Sequence, residues 1–147
     1  MRTINTVAVA VLLISAAVGT YILATDSILW QDAPTHADGL IAFVILDLAL
    51  VVGLWWKPKL ATIGMTLLAL IQFGAMGADV FVGQSVGTTM ATQSFLQHYL
   101  LGDAAFLSLL GVQAVLVVVG VVGIILTRRA PHAATQQPGA PTTRPNV

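Results

Sequence analysis

Four long apolar stretches, separated by short polar ones, make up most of this chain. They run from Asn5 to Thr25, Gly39 to Trp56, Leu60 to Gly83 and Tyr99 to Thr127. Each comes close to or exceeds the ~20 residues needed to cross the hydrocarbon core of a bilayer. Inside hydrocarbon a segment must satisfy its own backbone donors and acceptors, which a helix does and a lone strand does not. The pattern predicts an all-α membrane protein, built as an antiparallel bundle of four transmembrane helices. The first stretch stays apolar from Val7 to Ala24 with no clean small-x-small site after it. It reads as a membrane helix, because the apolar region of a signal peptide spans only about 7–15 residues.

The polar connections order these spans. Asp26 to Asp38 contains Asp26, Asp32, Pro34, His36 and Asp38. Proline in a helix interior removes a hydrogen bond and clashes with the preceding turn, so the segment reads as an outer loop. Ile28, Leu29 and Trp30 within it form a short apolar patch suited to the headgroup boundary. Lys57, Pro58 and Lys59 leave room only for a tight return, so spans two and three form a hairpin. Residues 84–98 are rich in Gln, Ser and Thr and carry no formal charge. Past Arg129 the chain is dominated by Pro, Ala, Thr and Gln. Such a segment buries too little apolar surface to offset its ordering entropy. The expected organisation is one membrane domain over residues 1–129 and a disordered tail over 130–147.

Charge then supplies an orientation. The bases are Arg2, Lys57, Lys59, Arg128, Arg129 and Arg144, all on one side of the folded string. Cytoplasmic loops carry the excess of Lys and Arg, so both termini are expected in the cytoplasm and the protein in the cell membrane. Composition agrees: 57% of residues are hydrophobic and 8% charged, against about 25% charged in soluble domains. A net charge of zero gives no footing for nucleic acid. With no cysteine, disulfides and thiolate chemistry are excluded.

Within the spans, three polar residues stand at costly depths. Counted along a helix from the flanking basic residues, Asp47 lies ~15 Å, Gln72 ~20 Å and Gln113 ~22 Å from the inner boundary. The three meet in one layer if spans two, three and four share a core. An aspartate at a helix centre costs about 2.5–3.5 kcal/mol to insert, so Asp47 is expected to face protein or water. Asp79 and Asp103 lie toward the outer ends of spans three and four, as rim residues. Gln72, Ala75, Met76 and Asp79 share one helix face by their 3–4 spacing. Small residues four apart, Ser15 with Gly19 and Gly74 with Ala78, offer faces for close helix approach. Gly83 and Gly87 repeat that spacing across a span end.

His36, Asp38 and His98 are of types that ligate transition metals, but no two histidines stand three or four apart on one helix. The sequence thus identifies no cofactor, and HExxH does not occur in it. Three function classes follow. The first is a non-catalytic accessory or scaffold subunit, partnered by lipid, by other membrane subunits or by copies of itself. The second is a small proton, cation or solute transporter working through Asp47. The third is a metal- or haem-linked redox protein using His36 and His98.

Overall fold

A computed structural model describes residues 2–82 and 102–134, with side chains over 3–78 and 102–127. Its elements are α1 (Arg2–Thr25), α2 (Ser27–Asp32), α3 (Pro34–Trp56), α4 (Pro58–Val82) and α5 (Ala104–Ala134). Among the described residues four helices are long and apolar enough to cross a membrane, over Thr3–Thr25, Pro34–Trp56, Pro58–Ala78 and Ala104–Thr127.

These four form a ring in which every neighbour is antiparallel. Gly19 of α1 packs on Leu40 and Val44 of α3, while Ser15 reaches Asp47. In the α3–α4 hairpin Gly53 meets Ala61 and Leu50 meets Gly64. Between α4 and α5, Thr62 meets Gly123 and Thr66 meets Gly120. Ile4 lies near Gly123, and Gln113 reaches Ser15, which closes α5 back onto α1. In each pair one number rises as the other falls. Helices α1 and α4 each pack chiefly on α3 and α5, so they occupy opposite corners.

The segment expected as an outer loop is largely helical. Asp26 caps α2, its Oδ1 accepting from the backbone N–H groups of Ile28 (2.9 Å) and Leu29 (3.0 Å). Pro34 does not keep the following residues out of the helix; it opens α3. At the first helical turn the missing N–H would have had no partner in any case, and the fixed φ suits a helix. The second span therefore begins five residues earlier than expected, at Pro34 instead of Gly39. Its first turn packs inward at Ala37, which is buried together with Leu29 of α2 and Ala33 between the two helices. Trp30 is half exposed, and its indole N–H donates to the Leu23 carbonyl at 2.8 Å.

Polarity in the bundle is reversed relative to a water-soluble one. Ser15, Asp47, Thr62, Thr66, Gln72 and Gln113 are buried, while Ile45, Leu67, Ile71, Val118 and many other large apolar residues face outward. Exposed apolar patches on that scale are rare on soluble monomers. A hydrocarbon solvent makes them the expected outer surface, so the four helices fit a small integral membrane protein. Trp55 and Trp56, at 78% and 82% exposure, project at the helix end beside Lys57. That position suits the amphipathic indole ring at a headgroup boundary.

Candidate functional site in the bundle core

The core is divided across its length. One apolar cluster holds Ala8, Leu12, Leu54, Ala61, Met65, Ala69 and Leu116. A second holds Ile22, Leu29, Ala33, Ala37 and Leu109. Along each long helix one buried polar residue falls where the first cluster ends. These are Ser15 on α1, Asp47 on α3, Gln72 on α4 and Gln113 on α5. Each of the four helices thus contributes one side chain to a polar layer.

Three members of the layer are chained by hydrogen bonds. The Gln113 amide Nε2 donates to the Ser15 Oγ at 2.8 Å, and the Ser15 hydroxyl donates to the Asp47 Oδ2 at 2.6 Å. Ser15 can fill the middle position because a hydroxyl both donates and accepts. The second link is the shorter because O–H···O bonds are shorter than N–H···O bonds. All three side chains are at most 2% exposed.

The remaining acceptors have no protein donor. Gln113 Oε1 and Gln72 Oε1 are fully buried and lack a hydrogen-bond partner among the described residues. Hydroxyl groups elsewhere in the bundle avoid this state. Thr62 donates to the Pro58 carbonyl at 2.7 Å, Thr66 to the Thr62 carbonyl at 2.8 Å and Thr20 to the Ala16 carbonyl at 2.7 Å. A helix always offers a hydroxyl the carbonyl four residues back. It offers an amide carbonyl nothing comparable, since the interior N–H groups are already bonded. A Gln Oε1 in this environment needs a donor from another helix, from water or from a bound molecule.

A cavity of about 480 Å³ adjoins the layer. Ser15, Asp47, Gln72 and Gln113 form its polar end. Its apolar walls include Ile22, Phe43, Val44, Met76, Phe106 and Leu109. Thr35, His36 and Gly39, on the first turns of α3, line it farther along. It therefore occupies the half of the bundle away from the Lys57 turn, between helices that pack closely near Gly53 and Gly64. Its volume is within the range usual for small-molecule sites, ~300–1,000 Å³, as is the combination of apolar walls with a few convergent polar groups.

The expected meeting of Asp47, Gln72 and Gln113 thus takes place, and all three line one cavity. Ser15 joins them in a role its spacing did not disclose. Paired with Gly19, it reads as a small residue for close approach. Gly19 is used that way, whereas Ser15 is the polar bridge. Ala75 and Met76 share the cavity with Gln72, as their common helix face predicts. Asp79 is on the same helix, with its side chain outside the described set. Among the described residues nothing stands within 4 Å of a Cβ at Gly74, so the Gly74/Ala78 pair makes no close approach to the described helices; the expectation is corrected to that extent.

Asp103 serves α5 instead of the cavity: its Oδ1 accepts from the Ala105 backbone N–H at 2.8 Å. His36 is partly buried at the cavity wall, and Asp38 is exposed. Among the described residues no three His, Cys, Asp or Glu side chains are grouped so as to hold a metal ion. His98, Gly83, Gly87 and residues 135–147 lie outside the described residues. No family model, no curated protein and no solved structure matches the chain.

Proposed function

We propose that this protein binds a small molecule inside the membrane, in the cavity at the Asp47 layer. This places it with the solute-transport reading of Asp47. The observation that carries the proposal is the pair of buried glutamine acceptors, Gln72 Oε1 and Gln113 Oε1, left without a protein donor beside a cavity of about 480 Å³. Leaving such a group unpaired costs about 1–3 kcal/mol. A turn of either amide toward the cavity would let a bound molecule donate to its Oε1 and remove that cost. We place both termini on the cytoplasmic side of the cell membrane, on the strength of the bases at both ends and at Lys57 and Lys59. Membership in a larger membrane assembly, or self-association through the apolar outer faces, is compatible with this reading.

Gly39 supplies the test, because it lines the cavity and a Cβ built there meets no atom within 4 Å. Gly39→Phe, alone or with Ala75→Phe, is expected to occupy the cavity while preserving the fold. Native mass spectrometry after mild solubilisation should show a small-molecule adduct on the wild-type protein and none on the filled variant. Identical spectra for the two proteins would count against a site in this cavity.

A further inference from the structure

The chemistry of the polar layer narrows the occupant. What the protein presents at the polar end of the cavity is the Asp47 carboxyl, beside the Gln72 and Gln113 amides, whose Oε1 atoms are fully buried. The Gln113 Nε2 and the Ser15 hydroxyl each donate within the layer. Among the described residues no lysine or arginine lines the cavity, and the imidazole there, His36, stands on the first turn of α3, about sixteen ångströms along the helix from Asp47 at ~1.5 Å per residue. The carboxylate at the polar end has no basic protein partner among the described residues, and an isolated buried charge is expensive. A cationic donor in the cavity would pair with that charge.

The walls decide between kinds of cation. An inorganic ion needs a small shell of oxygens that replaces its water. This cavity is far larger than such a shell, and most of its lining is hydrocarbon. Phe43, one turn from Asp47 on α3, is among the lining residues; aromatic faces attract organic ammonium groups. We infer that the cavity takes a lipophilic amine: an ammonium head held by Asp47, with an apolar body lying along Val44, Met76, Phe106 and Leu109 toward His36. The inference rests on the binding proposal above and gives its ligand class.

Three probes with one apolar body and different heads test it: phenylbutylamine, phenylbutanol and phenylbutyrate. Each is titrated calorimetrically into protein held in lipid nanodiscs, with empty nanodiscs as the blank. The amine is expected to bind saturably, at least tenfold tighter than the alcohol, with the carboxylate weakest. Asp47→Asn, which keeps an oxygen for Ser15, should erase the preference for the amine. Gln72→Met should weaken amine and alcohol alike by several-fold and leave the preference intact. Should Asp47→Asn fail to fold, the amine–alcohol ratio in the wild type and in Gln72→Met still decides.

An alcohol that binds as well as the amine, or a preference that survives Asp47→Asn, overturns the cationic assignment. If Gly39→Phe still abolishes that binding, the cavity reading itself stands. If no probe binds above the blank, both the ligand class and the reading beneath it fall.

Discussion

Ser15 is the residue on which the polar layer turns. It joins an α5 amide to an α3 carboxyl, so its loss strands a donor and an acceptor that are both buried. Ser15→Ala is therefore expected to cost about 1–3 kcal/mol, measured by reversible unfolding in mixed micelles. Ser15→Thr keeps the hydroxyl and should recover much of that, since Thr carries the same donor and acceptor set. If Ser15→Ala were as stable as the wild type, the chained geometry would have no energetic weight. The sequence alone gives Asp47, Gln72 and Gln113 because amide and carboxyl groups are conspicuous in an apolar helix. Ser15 is not conspicuous, since serine in a membrane helix is ordinarily satisfied by its own backbone. Only its position opposite Asp47 gives the hydroxyl another use.

Among the elements, the α4–α5 contact depends on glycines that the search for four-residue spacing passes over. A Cβ at Gly120 would collide with the Thr66 side chain and stand 3.3 Å from the Thr66 Cα. One at Gly123 would come within 3.0 Å of the Thr62 methyl. Thr62 and Thr66 are one turn apart on α4, and their hydroxyls bond back to α4 carbonyls. What they offer α5 is shape, in the manner of small-residue packing between membrane helices. Gly120→Val should separate the two helices and destabilise the bundle by about 1–3 kcal/mol. Gly111→Ala, with nothing within 4 Å of the new methyl, should leave stability unchanged or slightly raised. Thermal unfolding followed by circular dichroism distinguishes them; equal midpoints would refute the close approach. At the other connection, Pro34 shows how one residue carries two readings. Taken as an interior residue it ends a helix, and at the first turn it starts one. The choice depended on whether 34–38 had a core to face, and Ala37 does.

At the scale of the whole molecule, the absence of cysteine makes membrane sidedness directly testable. Lys59 and Asp38 are exposed at opposite ends of the bundle. Lys59→Cys is expected to react with an impermeant maleimide only in inside-out vesicles, and Asp38→Cys only in intact cells. The opposite labelling pattern would invert the proposed orientation while leaving the fold as described. The same scale explains why the cavity lies in one half only. Near the Lys57 turn, Gly53 with Ala61 and Gly64 with Leu50 bring α3 and α4 together. Beyond Asp47 and Gln72 the space between helices is bordered by larger groups, Phe43 and Phe106 among them, and remains partly unfilled.

What the chain determined unaided was its solvent and its count of spans. Both follow from a one-dimensional quantity, the length of apolar runs set against the thickness of hydrocarbon. The hairpin at Lys57 and the polar residues within the spans were equally local facts. The tertiary structure decided which helices are neighbours, that a polar residue from each of four helices stands in one layer, and that two glutamine oxygens there go unpaired beside a cavity. Helix rotation and pairing arise from how side-chain surfaces fit across helices distant in sequence, such as Ser15 against Gln113. No single run of residues encodes that fit.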